Sequence, residues 1–289
     1  MKKVAIQGVK ASFHDQAAKF FFTSLNGFPF EIELVECSSF LEVFEKMKIG
    51  LVDYAVVAIE NALAGSILSN YSLLEKYRLK ILGEVFLKIE MCLIGLPETE
   101  IESLKIIQSH PMAILQCQEF LSSLKKETVN VSIIEHEDTA GSIKEIKEKK
   151  LKDVAGIAGV LAAEVYGMKI LKRGIETHSK NFTRFLVLCP EFVYKSSLEA
   201  NKATIRFELP DIIGSLAKIL SFFLKEEINV SKIQSLPVIG RPYQYAFHLD
   251  LEWEKKNEKQ YYSCLKKLPK YVLNLMHFGD YKKGVRPIL

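Results

Sequence analysis

Short polar side chains lie at four places where a predicted strand gives way to a predicted helix. They are Ser12, residues 61–66 (Asn-Ala-Leu-Ala-Gly-Ser), residues 109–111 (Ser-His-Pro) and residues 138–139 (Asp-Thr). In an open α/β sheet, ligands bind beyond the carboxyl ends of the strands, and helix N-termini there attract anions. Four such junctions together favour a cleft for a small ligand with more than one carboxylate. Helix capping alone explains any single junction equally well.

The densest polar segment, residues 177–185 (Thr-His-Ser-Lys-Asn-Phe-Thr-Arg-Phe), runs directly into an apolar strand. Arg184 can hold a carboxylate through two parallel hydrogen bonds, and an ion pair between lobes or at the surface explains it equally well. Thr183 can donate a hydrogen bond or a proton, or it can simply begin the strand. Asn181 can orient either neighbour or turn the chain.

Sequence motifs for metals and nucleotides are absent. The chain has no HxH, HExxH, Cys/His cluster, GxGxxG or GxxxxGK[ST], so we expect no metal and no nucleotide cofactor. His14 and His110 lie near helix starts, where capping or packing is a commoner role than that of a base. The basic residues of 144–152 alternate with acidic ones, which indicates a solvated helix face and not a nucleic-acid surface.

The composition is that of an ordinary globular protein of 289 residues, long enough for two or three domains. Hydrophobic residues make up 48% and charged residues 26%, which excludes wholesale disorder, and the net charge of +4 requires no nucleic acid. No apolar run approaches the roughly 20 residues of a membrane span or suits a signal peptide. The scattered cysteines favour reduced thiols in a cytoplasm; they are Cys37, Cys92, Cys117, Cys189 and Cys264.

The elements that must position these side chains alternate between strand and helix over residues 1–190, which predicts an α/β region. Ser12, Ser39 and Ser109 are each predicted to cap the start of a helix, and residues 129–134 are one of the predicted strands. We expect two lobes, the first formed by about residues 1–79 and 180–190 and the second by about residues 80–179. A stretch without apolar periodicity follows. The order of elements over residues 201–285 is βαββαβ, which predicts a separate ferredoxin-like domain.

Six blocks of sequence resemble, in the same order, those of the prephenate dehydratase family, and the match covers nearly the whole chain. The blocks are GVKASFHDQAA (8–18), VVAIENALAG (56–65), SHPMAILQCQEFL (109–121), DTAGS (138–142), AGIAGVLAAEVYG (155–167) and IETHSKNFTRFLVL (175–188). Residues 214–237 resemble an ACT regulatory domain. The ordered set is far more specific than any one block.

This resemblance implies a two-lobed catalytic region, similar to a periplasmic-binding-protein fold, with its active site in the cleft. It implies the decarboxylating dehydration of prephenate to phenylpyruvate in L-phenylalanine biosynthesis. No cofactor is expected, because aromatisation of the ring drives the reaction. Thr183 is the residue implied as donor to the leaving hydroxyl group. The residues implied in substrate binding are Ser12, Asn61, Gly65, Ser109, His110, Thr139, Asn181, Arg184 and Phe185.

In the ACT family, two segments bind phenylalanine between paired subunits. Here they correspond to Gly214-Ser215-Leu216 and to Gln234-Ser235-Leu236-Pro237, where the two charged residues of the family pattern are missing. We expect feedback inhibition by phenylalanine to survive in altered form, in a homodimer or homotetramer. An ACT domain that only dimerises is the alternative.

The chain departs from the family pattern at several positions of the cleft. Ala62 and Asp138 stand where the family has serines, His14 also replaces a serine, and Thr177 replaces an aspartate. His14 and Asp138 either compensate for Ala62 or mark a preference for arogenate. Two alternatives therefore stand beside prephenate dehydratase: arogenate dehydratase, and a non-catalytic small-molecule-binding or regulatory protein.

Overall fold

The computed structural model describes residues 1–25, 31–127 and 131–287. In chain order the strands are β1 (Lys2–Gln7), β2 (Ile32–Cys37), β3 (Tyr54–Asn61), β4 (Gly65–Ser66), β5 (Lys80–Lys88), β6 (Cys92–Gly95), β7 (Ile106–Ser109), β8 (Ser132–Glu135), β9 (Val154–Ala158), β10 (Lys169–Arg173), β11 (Phe182–Cys189), β12 (Lys202–Glu208), β13 (Asn229–Pro237), β14 (Tyr245–Glu252) and β15 (Leu273–Tyr281). The helices are α1 (Phe13–Lys19), α2 (Phe40–Lys48), α3 (Leu68–Tyr77), α4 (Pro111–Gln116), α5 (Gln118–Glu127), α6 (Thr139–Lys149), α7 (Val160–Tyr166), α8 (Ser215–Lys225) and α9 (Glu258–Lys267).

The chain divides into two compact units. Unit 1 contains Met1–Asn70, Val85–Val187 and the C-terminal residues from Val285, and unit 2 contains Tyr71–Glu84 and Leu188–Gly284. No helix of the described residues is long and apolar enough to cross a membrane.

The first sheet has the strand order β2-β1-β3-β11-β5, with β4 paired to β3. β1 runs parallel to both β2 and β3, so their carboxyl ends lie at one edge. Residues 54–59 are all buried, as the continuous apolar run of β3 predicts for a strand covered on both faces. β11 returns the chain to this sheet as expected. β5 also belongs to it, so the second sheet begins at Cys92, later than the predicted start of lobe 2 at residue 80.

The second sheet has the order β10-β6-β9-β7-β8. β7 is parallel to β8 and β9, while β6 is antiparallel to β9 and β10. Successive side chains of a strand point to opposite faces, and both faces are covered here. Leu93 and Ile157 pack with residues of α4 and α5, whereas Ile94 and Ala158 pack with residues of α6 and α7. The sequence did not predict β10, and the predicted strand at 129–134 begins on residues outside those described.

The third sheet, in unit 2, is antiparallel with the order β13-β14-β12-β15. Its strands and the helices α8 and α9 follow in the order βαββαβ, as predicted. The core contains Phe207, Phe223, Leu249 and Trp253. The two α/β sheets and this third sheet confirm the expected fold class.

Helix caps determine where the polar junction residues point. The Asp15 N–H donates to Ser12 Oγ (3.3 Å), which makes Ser12 the predicted N-cap of α1. The prediction that Ser109 caps the next such helix is wrong. His110 caps α4 by accepting from the Met112 N–H (3.2 Å), while the Ser109 hydroxyl donates to the Ile157 carbonyl (2.6 Å) inside the second sheet.

Candidate active site

Unit 1 contains a cavity of about 600 Å³ at the carboxyl ends of strands from both of its sheets. All four polar junctions identified in the sequence contribute to its wall. Their residues at the wall are Ser12, Asn61, Ala64, His110, Asp138 and Thr139, and Thr183 lies there too. Parallel strands end at a common edge, so residues distant in sequence meet at this point.

Most of the remaining wall is apolar, including Phe13, Phe40, Met91 and Phe185. Such a wall suits a six-membered carbon ring, because apolar surface is best buried against apolar surface. The cavity therefore combines an apolar body with a few polar groups, as small-molecule sites commonly do.

An amide network at the cavity joins both sheets to Thr183. Asn61 Nδ2 donates to Thr183 Oγ1 (2.9 Å) and to Asn181 Oδ1 (2.7 Å), and Asn181 Nδ2 donates to Gln116 Oε1 (2.9 Å). The N–H groups of Leu63 and Ala64 donate to Asn61 Oδ1 (3.0 and 2.9 Å), which fixes the orientation of this amide. The network holds the hydroxyl oxygen of Thr183 in one place.

Thr183 is buried, with 8% of its surface exposed. Among the hydrogen bonds of the described residues, its Oγ1 appears only as the acceptor from Asn61. A hydroxyl group has one donor hydrogen besides its acceptor lone pairs. The hydroxyl hydrogen of Thr183 is therefore available to a ligand in the cavity.

Arg184 does not line this cavity. Strand β11 alternates its side chains, so Arg184 points away from the face that carries Thr183 and Phe185. Its Nη1 lies 3.8 Å from Glu60 Oε1, and its guanidinium lies 6.0 Å from the centre of the Phe86 ring. The pair with Glu60 joins neighbouring strands of one sheet, and the Arg184 side chain is only 3% exposed. It is therefore neither a surface ion pair nor one between lobes, and Arg184 lies outside the wall where a substrate clamp was expected.

His14 lines the cavity as a neutral ring. The Ala58 N–H donates to its Nε2 (3.2 Å), and its ring meets those of Phe40 and Phe185 edge to face at 5.5 and 5.1 Å. Burial lowers the pKa of His14 to about 3. The side chain is uncharged at neutral pH, as expected for a packing residue.

The charged groups on the cavity wall are acidic. None of the described residues in the wall is Lys or Arg, while Glu137 and Asp138 both reach it. The Gly141 N–H donates to Asp138 Oδ1 (2.6 Å), so Asp138 caps α6. Burial raises the pKa of Asp138. Among the described residues no group of three or more His, Cys, Asp or Glu side chains is placed to hold a metal ion.

Three further predicted binding residues lie outside the wall, and several polar wall residues escaped prediction. Asn181 is one of the three, and it reaches the site only through its hydrogen bonds to Asn61 and Gln116. Ser109 is buried against β9, and Gly65 forms the short strand β4 with a φ of +80°. The wall residues that sequence reasoning missed are Gln7, Ser38, Ser39, Gln116 and Glu137. Ser39 follows the same strand-to-helix pattern as the four junctions, because it caps α2 after β2. Gln116 lies at the end of α4, within the motif block 109–121, where no role was predicted for it.

Unit 2 contains a separate cavity of about 490 Å³ beside the start of α8. Gly214, Ser215 and Leu216 line it, together with the ion pair between Arg241 Nη2 and Glu208 Oε1 (2.6 Å). Residues 234–237 are not part of its wall. Gln234, Ser235, Leu236 and Pro237 lie on β13, at one edge of the third sheet.

The chain is similar in sequence to known proteins of one family. A profile of the prephenate dehydratase family matches residues 4–192. The chain is 34% identical over 290 residues to the chloroplastic arogenate dehydratase/prephenate dehydratase 2 of Arabidopsis thaliana, covering 96% of this chain and 72% of that protein.

Two solved structures share the fold. The prephenate dehydratase of Arthrobacter aurescens in complex with L-Phe superposes with a TM-score of 0.82 at 23% identity, over 99% of this chain and 92% of that one. A chain described as a quorum-quenching acylase has a TM-score of 0.82 at 24% identity, with 97% of each chain covered. At such identities the likeness concerns the fold alone.

Proposed function

The chain belongs to the prephenate dehydratase family of lyases in phenylalanine biosynthesis, and from this premise we propose that its unit 1 cavity converts prephenate to phenylpyruvate. The observation that carries the proposal is the Thr183 hydroxyl, held by Asn61 Nδ2 with its hydrogen available to a ligand. An apolar wall and several polar helix starts surround it, as a ring with two carboxylates requires.

The reaction breaks two bonds of the prephenate ring. The ring carboxylate leaves as CO2, its electron pair enters the ring, and the C–O bond to the hydroxyl group opposite breaks. The leaving oxygen needs a proton, and aromatisation makes the process favourable. A Thr hydroxyl is a weak acid, so we assign Thr183 the role of a hydrogen-bond donor that relays a proton to that oxygen.

The polar groups of the wall position the substrate in this proposal. The starts of α2 at Ser39 and of α6 at Thr139 lie at the wall, and helix N-termini favour carboxylates. Phe185 and Phe40 would pack against the ring. Because Arg184 lies outside the wall, we assign it no direct contact with substrate.

Arogenate is a second candidate substrate of the same chemistry. It carries an ammonium group where prephenate has a keto oxygen, and its product is phenylalanine. The wall of the cavity has acidic side chains and, among the described residues, no Lys or Arg. The Arabidopsis relative is named for both activities.

Steady-state turnover of prephenate and of arogenate by the purified chain tests the proposal. We expect phenylpyruvate or phenylalanine to form at a rate that saturates with substrate. The Thr183→Ala variant, purified in the same way, controls for contaminating activity. Equal rates in the two preparations, or none above a blank without protein, would refute the catalytic role.

We also propose that phenylalanine binds unit 2 and regulates turnover. The supporting observation is the cavity at Gly214–Leu216, where the start of α8 suits a carboxylate. The segment 234–237 would reach such a ligand only from a second copy, in the homodimer or homotetramer expected from the sequence. A phenylalanine titration that changes neither turnover nor the melting temperature would contradict this proposal.

A further inference from the structure

We propose that the Asp138 carboxylate binds the ammonium group of the substrate, and that the cavity therefore selects arogenate over prephenate. The inference rests on the proposed function, because it concerns the same cavity. It goes further by naming the residue that separates two substrates with identical leaving groups.

The charge of the cavity wall distinguishes the two substrates. Both substrates bring two carboxylates, and arogenate alone brings a cation as well. Glu137 and Asp138 are acidic, the ring of His14 is neutral, and none of the described wall residues is Lys or Arg. His110 is the second histidine of the wall. A negatively charged wall disfavours binding of the dianion prephenate more than binding of arogenate, whose net charge is −1 at neutral pH.

The Asp138 carboxylate is held in one orientation at the start of α6. Its Oδ1 accepts from the Gly141 N–H at 2.6 Å, which fixes the side chain as the cap of α6. The Ala140 N–H also donates a hydrogen bond to this carboxylate. No salt bridge of the described residues includes Asp138, and the residue lines the cavity. Backbone N–H groups at the start of α6 thus hold the carboxylate in place, and its remaining lone pairs can accept from a ligand.

Asp138 Oδ2 lies beside the backbone of Gly8. A Cβ atom built on Gly8 would lie 2.4 Å from Asp138 Oδ2, so the carboxylate packs directly against the backbone that follows β1. Ser12 caps α1 four residues later. Asp138 Oδ2 therefore lies where the loops of both sheets meet, within the same wall as Thr183.

The burial of Asp138 supports its role in binding an ammonium group. Desolvation of a carboxylate costs free energy unless a partner of opposite charge replaces the lost water. Burial raises the pKa of Asp138 when no ligand is present. An ammonium group in the cavity would offset this cost, whereas a keto oxygen would face the carboxylate without a hydrogen to donate.

The test compares kcat/KM for arogenate and for prephenate in the wild type and in Asp138→Asn. Asparagine also caps helices well, so the variant keeps the acceptor for Gly141 and removes only the charge. We expect the wild type to prefer arogenate and the variant to lower the arogenate-to-prephenate ratio by about 10- to 100-fold, as for loss of a charged hydrogen bond. An unchanged ratio would overturn the inference.

Glu137→Gln provides the matched control, because it removes the same charge from an exposed side chain of the same wall. We expect it to change the ratio little, since solvent and salt screen an exposed charge. An equal change in both variants would show that the negative charge of the wall acts at long range. It would also overturn a specific contact between Asp138 and the ammonium group.

Binding measurements separate this inference from the proposed function. Calorimetric affinities of both substrates are measured in Thr183→Ala, with and without Asp138→Asn. Tighter binding of arogenate that depends on Asp138 supports the inference even if the wild type turns over neither substrate, a result that would refute the proposed function alone. Equal affinities for both substrates in Thr183→Ala would overturn the inference while leaving measured turnover intact.

Discussion

At the scale of single residues, the site depends on which atoms of Thr183 and Asn61 are already occupied. Asn61 uses both ends of its amide, since Oδ1 accepts from backbone N–H groups and Nδ2 donates to Thr183 Oγ1. This arrangement leaves Thr183 as a donor. Without the Asn61 amide beside it, the hydroxyl group of a threonine at a strand start would not be held in one orientation.

We predict that Thr183→Ala lowers kcat by about 10²–10⁴-fold, the usual effect of removing a proton-transfer group. Thr183→Ser retains the hydroxyl group and should keep a large part of the activity. Steady-state kinetics with both substrates provide the measurement, and circular dichroism confirms that the variants are folded. Near-normal turnover in Thr183→Ala would contradict the assigned role.

We predict that Asn61→Asp also lowers kcat, because the introduced carboxylate still accepts from Leu63 and Ala64 but cannot donate to Thr183 Oγ1. The Thr183 hydroxyl would then turn toward that carboxylate and no longer toward the substrate. Asn229→Asp, at an exposed position of β13, is the matched control. A kcat for Asn61→Asp equal to that of the control would show that the network does not orient the hydroxyl.

At the scale of elements, strand alternation decides which residues of β11 and β12 serve the site and which serve the core. On β11 it places Thr183 at the cavity and Arg184 away from it. On β12 it buries Lys202 among carboxylates of unit 2. Lys202 Nζ lies 3.0 Å from Glu84 Oε2, 3.4 Å from Glu252 Oε1 and 3.7 Å from Asp250 Oδ2.

We predict that Lys202→Met lowers the free energy of unfolding of unit 2 by about 3–5 kcal/mol, because it removes the cation from a buried ionic cluster. Only 2% of the Lys202 side chain and 1% of the Glu84 side chain are exposed. Urea unfolding followed by the fluorescence of Trp253, the one tryptophan of the sequence, reports on the core of unit 2.

Lys282→Met is the control for this prediction. Lys282 Nζ lies 2.6 Å from Glu199 Oε2, but both side chains are more than half exposed. Exposed pairs contribute little because water and salt screen them. Similar urea midpoints for the two variants would show that burial does not strengthen the Lys202 cluster.

At the scale of the whole molecule, each unit buries a histidine whose pKa is lowered to about 3. In unit 1 it is His14, and in unit 2 it is His248, where burial is the main cause and the Arg206 cation adds to it. The unfolded chain takes up a proton on each near pH 6.5, while the folded chain does not. The contribution of these two histidines to stability is therefore complete above about pH 6.5 and falls as the pH drops toward 3.

We predict that His248→Phe reduces this acid sensitivity of unit 2. The loss amounts to about 1.4 kcal/mol per pH unit for each such histidine, and the variant removes one. Both ring nitrogens of His248 are buried without a hydrogen-bond partner among the described residues, and the ring stacks on Phe278, so phenylalanine suits the space. Urea midpoints from Trp253 fluorescence between about pH 7.5 and 4.5, a range that spans the unfolded-state pKa, provide the measurement.

His178→Gln, an exposed position, is the control for the pH series. We expect it to follow the wild type at every pH, because the exposed His178 side chain loses few contacts when the chain unfolds. If His248→Phe lost stability with acid as steeply as the wild type, the buried ring would not be the cause.

The sequence by itself determined the features that depend on local pattern. The apolar run of β3, the caps at Ser12 and Ser39, and the βαββαβ order after residue 201 were all readable, because burial periodicity and capping act within a few residues. The motif blocks also identified the family. The polar junctions at Asn61, His110 and Thr139 pointed to a cleft before any of them could be placed in space.

Only the tertiary structure decided which side chains share that cleft. The sequence placed β5 in the second lobe, whereas strand pairing places it in the first sheet. It assigned Ser109 and Arg184 to the substrate, but the pleat of β7 and β11 directs them into the second sheet and toward Glu60. Gln116 stood in a motif block without a predicted role, and only the structure shows that it lines the same cavity as Thr183. The physical reason is that sheet order and side-chain direction arise from pairings between distant segments, which no local pattern records.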